Sequence, residues 1–99
     1  MTSNHWTTDR IEREALIKRI GTGKVVAKFV VDKGHKNGPE RHEITENGII
    51  IVYNNRSNKL VTKLIARPNQ IRRYYKDGKA PIELVRIAIE HQKLGYNER

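Results

Sequence analysis

Residues 42–66 decide the fold of this 99-residue chain, and they read HEITENGIIIVYNNRSNKLVTKLIA. Asn47-Gly48 favours a tight hairpin turn, because both residue types tolerate positive φ. The flanking residues at 42–45 and 49–53 are rich in β-branched and apolar side chains, which favour strands. A second polar turn at 54–59 leads into another alternating run at 60–66. This stretch therefore predicts three consecutive antiparallel strands, a β-meander.

Upstream of the meander, the sequence predicts one helix and one further strand. Asp9 and Glu12 form a weak capping box, and apolar residues then recur at helical spacing until Gly21 and Gly23 end the helix. The charged opposite face places this helix on the outside of the sheet. Residues 25–31 read VVAKFVV, which predicts a first strand buried on much of both faces.

Downstream of the meander, two helices are expected. Pro68 ends the sheet, and residues 69–75 predict a short helix with Ile71 packed inward. Pro81 is well placed to open the last helix, because its fixed φ suits the first helical turn. That helix has a regular apolar face, on which His91 is expected to pack, and Gly95 is a natural stop.

The order of these elements predicts an α+β fold. It consists of an N-terminal helix, a four-stranded antiparallel meander, a short helix and a C-terminal helix. We expect residues 1–8 to be a flexible N-terminus, 9–95 a single domain, and 96–99 a C-terminal tail.

Composition excludes several classes of function. The chain has no cysteine, so disulfides and thiolate metal sites are ruled out. No apolar run approaches the roughly 20 residues that span a bilayer, so no membrane partner is expected. Residues 1–6 lack the apolar core of a signal peptide, and we therefore expect a cytoplasmic protein. Nothing in the sequence calls for a cofactor.

Positive charge is concentrated in residues 56–79. The net charge is +9, and eight cations opposed only by Asp77 give this stretch +7. The cations are Arg56, Lys59, Lys63, Arg67, Arg72, Arg73, Lys76 and Lys79. Such a field attracts polyanions and makes their binding salt-sensitive, although solubilising charges on a solvent face are the alternative interpretation.

The cations are interleaved with tyrosines at Tyr74 and Tyr75. One ring is expected to anchor the short helix in the core, and the other to be partly exposed. An exposed ring next to arginines suits stacking on an unpaired base. We therefore predict a nucleic-acid partner, with RNA favoured over DNA and with Tyr74 included among the contacting residues.

A second group of residues could carry chemistry. His35, Glu40 and His42 follow the first strand and are candidates for the proton transfers of metal-independent RNA cleavage. Lys63 and Arg67, expected on one face of the fourth strand, would stabilise the charge that develops on phosphorus. The alternative is that His35 and Glu40 are solvated loop residues and His42 merely begins a strand. The two histidines lack a rigid ligand spacing, so no metal site is predicted.

The order of parts resembles the small ribonuclease-like toxin domains grouped around barnase, colicin-type and RelE nucleases. The likeness is carried by the N-terminal helix, the four-stranded sheet, the polar loop with His35, and a late strand with Thr62-Lys63. It implies metal-free endoribonuclease activity, with His35 or His42 as base or acid and Thr62, Lys63 and Arg67 on the phosphate. Two helices after the sheet depart from that pattern and would cover the face that holds RNA in such enzymes.

Residues 29–75, with DKGHKNGPERHEIT and GIIIVYNNRSNKLVTKLIARP, also look like small proteins encoded in phages and prophages of Gram-positive bacteria. Three hypotheses follow: a phage-related protein that binds nucleic acid, a metal-independent ribonuclease, and a protein-binding inhibitor of a host nucleic-acid enzyme. The last two would imply a protein partner, either a cognate inhibitor or a host protein.

Overall fold

A computed structural model of the chain describes residues 2–32, 34, 36 and 38–93, with side chains described from residue 11 onward. Its elements are α1 (Thr2–Ile20), β1 (Val25–Val31), β2 (Glu40–Thr45), β3 (Ile49–Asn54), β4 (Leu60–Ile65), α2 (Pro68–Lys76) and α3 (Leu84–Lys93). The predicted α+β fold is confirmed. None of the described helices has both the length and the apolar character that a membrane span requires.

The four strands form one antiparallel sheet in the order β1-β2-β3-β4, which confirms the meander. The β2–β3 turn contains Gly48 at φ +78°, a left-handed conformation that favours glycine. The Gly48 N–H donates to the Thr45 carbonyl at 2.9 Å. In the same turn the Asn47 side-chain amide donates to the Gly21 carbonyl at 3.0 Å, which ties the turn to the end of α1.

β3 is the centre of the core because helices cover the sheet on both sides. Ile49 and Ile51 face α1, where they pack with Leu16 and Ile17. The alternate residues, including Ile50, face α2 and α3. The buried cluster on the side of α2 and α3 contains Ile44, Ile50, Val52, Ala66, Ile71, Ala80, Leu84 and Ala88. The molecule therefore has three layers, with the sheet in the middle.

The prediction that β1 is buried on much of both faces is wrong. Val25, Val26 and Val30 are all exposed, whereas Ala27 and Phe29 pack against the core on the side of α2 and α3. The physical reason is position: β1 is an outer strand of the sheet, and the packing of α1 is centred on β3 and β4. The four-residue apolar run of β3 is the one that is buried on both faces.

Each of the three helices has a boundary that differs from the sequence prediction. α1 begins at Thr2 instead of Asp9, because residues 2–8 contain no glycine or proline to stop the helix. α2 is longer by one residue at each end than the predicted 69–75. α3 begins at Leu84, because Pro81 lies in a turn in which its carbonyl accepts the Leu84 N–H at 3.3 Å. The predicted stop at Gly95 lies outside the described residues.

His91 is packed, as the sequence predicts, and its ring lies against Gly48 in the β2–β3 turn. The residue is 6% exposed, and its Nδ1 atom has no hydrogen-bond partner among the described residues. The contact is close: a methyl group added at Gly48 would lie 3.3 Å from His91 Cε1. Burial lowers the pKa of the His91 imidazole below its ordinary value of 6.5, while Glu90 acts in the opposite direction.

This burial predicts a pH dependence of stability. Well above pH 6.5 the imidazole is neutral in both the folded and the unfolded state. As pH falls from 6.5 toward the lower pKa of the folded state, the unfolded chain takes up the proton first, so the free energy of unfolding decreases. The slope cannot exceed about 1.4 kcal/mol per pH unit for one group. Urea unfolding across this range should show the loss in the wild type and a flatter curve in His91→Leu, and parallel curves would contradict it.

Candidate nucleic-acid interface

An open groove of about 840 Å³ lies beside the end of β4, between α1 and the pair of helices α2 and α3. Its polar lining is dominated by the side chains Arg13, Arg67, Arg72 and Arg73. The remaining lining residues are Leu64, Ile65, Pro68, Asn69, Gln70, Ile89 and Gln92. We call this surface the arginine groove. None of the described residues that line it is a carboxylate, so this part of the surface is a concentrated site of positive charge.

The start of α2 sets the position of three of these arginines. Arg67 is the N-cap residue, and its N–H donates to the Gln70 side chain at 3.4 Å, next to Pro68 in the first turn. Ile71 is completely buried and anchors α2 in the core. The next two residues, Arg72 and Arg73, are consequently exposed, as the sequence predicts. The Arg72 guanidinium donates to Asn69 Oδ1 at 3.0 Å, which steadies it at the groove.

The fourth arginine, Arg13, comes from α1 and was missed by sequence reasoning. It is half-buried, and its Nε atom is shielded from solvent without a hydrogen-bond partner among the described residues. The signal available in the sequence was helical spacing. Arg13 precedes the buried Leu16 and Ile17 by three and four residues, so it lies on the sheet-facing side of α1.

The other predicted cations point elsewhere. Arg56 and Lys59 belong to the β3–β4 turn, and Lys76 and Lys79 lie at the far end of α2. The Lys79 ammonium is 5.0 Å from the centroid of the Phe29 ring on β1, and neither residue lines the groove. Residues 56–79 are therefore not one continuous patch, and only the part around Arg67 to Arg73 contributes to the groove.

The two tyrosines have different environments. Tyr74 packs against Phe29, with the ring centroids 5.0 Å apart, and its hydroxyl accepts a hydrogen bond from Gln70 at 3.3 Å. Tyr75 is 52% exposed. The ring accessible to a base is therefore Tyr75, whereas Tyr74, which the sequence predicts as a contacting residue, is held against the core.

The candidate proton-transfer residues are only partly brought together. His35 lies outside the described residues. His42 Nε2 and Glu40 Oε1 are 3.3 Å apart, and the His42 ring packs 5.6 Å from Phe29 with 14% of the side chain exposed. Thr62 is on the same face of the sheet, but it is two strands away from His42, because Val52 on β3 pairs with both residues. The layer of α2 and α3 packs on this face, as the departure from the nuclease pattern implied.

Lys63 lies on the opposite face of the sheet from His42. It pairs with Ile51 in register, and its ammonium is 3.5 Å from Thr22 Oγ1. The expectation that Lys63 and Arg67 share one strand face is wrong, because β4 ends at Ile65 and Arg67 instead caps α2. The described residues therefore do not gather the proposed proton-transfer and phosphate groups into one cleft. They also contain no group of three potential ligands placed to hold a metal ion.

Comparisons of the chain with protein-family models, curated proteins and solved structures find no match. The likenesses to ribonuclease toxins and to phage proteins remain predictions from the sequence. Fold and site together define a small three-layer α+β protein with an arginine-lined groove at one edge of its sheet.

Proposed function

We propose that this protein binds nucleic acid by holding its phosphate backbone in the arginine groove. The observation that carries the proposal is the convergence of four arginine side chains, from α1 and from the start of α2, on a groove whose described lining contains no carboxylate. Guanidinium groups remain charged at every physiological pH and match phosphate oxygens with paired N–H donors.

The charge of the whole chain supports the same proposal. A net charge of +9 on 99 residues raises the local concentration of polyanions and speeds their association. Neutralised phosphates release condensed counterions, which supplies most of the sequence-independent affinity. RNA, favoured on the sequence, is the first ligand to test, and DNA is the second.

The proposal is for binding without cleavage. The Glu40–His42 pair lies on the sheet face toward α2 and α3, and neither residue lines the arginine groove. A phosphate held by Arg72 and Arg73 would therefore not be presented to that pair. The separation supports a binding protein over a metal-independent ribonuclease.

The decisive measurement is the salt dependence of affinity. Fluorescence anisotropy with labelled RNA should show affinity falling steeply between about 50 and 200 mM salt. Arg72→Gln combined with Arg73→Gln should lower the log–log slope by about 1.4, because each lost contact to a single strand removes about 0.7. Lys28→Gln combined with Lys36→Gln removes the same charge from exposed residues outside the groove and should leave the slope nearly unchanged.

A flat salt response of the wild type, or equal slopes in the two double variants, would contradict the proposal. The RNA recovered after incubation in EDTA should be intact. Cleavage that disappears in His42→Ala would instead support the ribonuclease hypothesis. Absence of binding to both RNA and DNA would leave the protein-binding hypothesis as the one to pursue.

A further inference from the structure

The arginine groove continues into a second groove along the same strand. This lower groove has a volume of about 700 Å³ and lies between α1 and the first part of β4. Its lining residues are Arg13, Glu14, Ile17, Lys18, Leu60, Val61, Thr62 and Lys63. Arg13 lines both grooves, so the two surfaces meet at this residue. Together the two grooves follow β4 from Leu60 to Ile65, and we call this combined surface the track.

β4 is an outer strand of the sheet, and part of its backbone faces this track. The Ala66 N–H donates to the Gly48 carbonyl at 2.9 Å, so Gly48 and Ala66 face each other as a hydrogen-bonded pair. Hydrogen-bonded and non-hydrogen-bonded pairs alternate along an antiparallel ladder, so this bond defines the types of the next pairs between β3 and β4. Leu64 then belongs to a bonded pair. Lys63 and Ile65 belong to non-bonded pairs, so their N–H and C=O groups point away from β3. Ile65 is only 2% exposed, so the part of this edge that a ligand can reach lies at Lys63, which is half-buried.

The lower groove combines positive charge with apolar surface. Arg13, Lys18 and Lys63 outnumber the single carboxylate, Glu14. Leu60 and Val61 are 55% and 52% exposed, so the lower groove carries apolar surface that is open to solvent. The exposed Tyr75 ring follows Arg72 by three residues and lies beyond the lining of the arginine groove. Cations and exposed apolar side chains therefore occur together in the lower groove.

We propose that one extended single strand of nucleic acid lies along the edge of β4, from the arginine groove past Arg13 into the lower groove. The inference rests on the proposed function and names its ligand class. The phosphates contact the cations, while base faces lie on Leu60 and Val61, and the outward N–H and C=O groups of Lys63 bond to bases or sugars. The six residues of β4 span about 20 Å, which suits a site on the order of four or more nucleotides.

Two other occupants fit this track less well. The bases of a duplex are stacked inside the helix, so a duplex would use the cations and leave the apolar residues and the strand edge without a partner. A second copy of the chain could pair with the same strand edge. The cations around Lys63 would then face the same cations of the other copy, and two chains of net charge +9 would repel each other. A single polyanionic strand with accessible bases satisfies all three features of the track.

The test compares ligand length, strandedness and groove variants. The probes are oligouridylates of about two and about twelve nucleotides and a duplex of the longer length. The longer single strand should bind at least about tenfold more tightly than the duplex. Lys18→Gln combined with Lys63→Gln should weaken the longer strand about tenfold and leave the short one unchanged, because the short strand occupies the arginine groove alone. Lys28→Gln combined with Lys36→Gln is the matched control.

Several outcomes would overturn the inference while leaving the proposed function intact. These are equal affinity for the duplex, lower-groove variants that behave like the control, or binding of poly-glutamate as tight as that of the oligonucleotide. Absence of salt-dependent binding to any nucleic-acid probe would overturn the proposed function as well. Should Lys63→Gln unfold the protein, Lys18→Gln alone provides the test, because Lys18 is exposed on α1.

Discussion

Replacing Arg13 by glutamate is expected to weaken nucleic-acid binding about a hundredfold at low salt, or by about 2.7 kcal/mol. Arg13 is the one arginine shared by the two grooves along β4, so the change removes a cation from the middle of the track. The glutamate would also repel the phosphates held by the flanking arginines. Its effect should therefore exceed that of neutralising any other single residue of the track. Anisotropy titrations with the longer oligouridylate measure it directly.

The matched control is Arg19→Glu. Arg19 is exposed on the same helix and lines neither groove, yet its replacement changes the net charge by the same amount. We expect only a few-fold loss of affinity, which reflects the long-range field. Equal losses in the two variants would mean that total charge governs binding and that the groove does not. Thermal melting should confirm that Arg13→Glu remains folded, and Arg13→Gln provides a milder substitute if it does not.

The second large effect concerns stability. Ile50→Ala is expected to lower the free energy of unfolding by about 2–5 kcal/mol, a large share of the roughly 5–15 kcal/mol that typical domains possess. Ile50 is completely buried at the centre of the sheet, between β2 and β4, under the layer formed by α2 and α3. Truncation leaves a cavity that two paired strands and a packed helix layer cannot easily close.

Urea unfolding followed by circular dichroism measures this loss, with Val61→Ala as the control. Val61 is also a β-branched strand residue, but it is 52% exposed, so its truncation should cost less than about 0.5 kcal/mol. A loss below about 1 kcal/mol in Ile50→Ala would show that the centre of the sheet is loosely packed.

The sequence predicts the elements of this fold better than it predicts their burial. Asn47-Gly48 and the runs around it specify the meander, because turn chemistry and strand preference are local properties. The runs VVAKFVV and IIIV are similarly apolar, yet the first forms an outer strand and the second the centre of the core. Which strand lies at an edge depends on how the whole sheet is ordered, and local pattern does not contain that information.

The candidate site was predictable in part for the same reason. Arg67, Arg72 and Arg73 are close in sequence, so their charge is visible as a local concentration. Arg13 joins them only because α1 packs against β3 and β4, a contact between distant parts of the chain. The choice between Tyr74 and Tyr75 depended on the rotation of α2 about its axis, which Ile71 sets from the core.

The arginine groove draws its walls from both ends of the chain, with Arg13 on α1 and Gln92 on α3. A ligand in the groove therefore binds only the folded molecule, since no fragment lacking either helix has the complete surface. By mass action, such a ligand shifts the equilibrium toward the native state by an amount that grows with its concentration. A ligand in the groove would then hold α1 and α3 together, and fraying of either helix would require the ligand to dissociate.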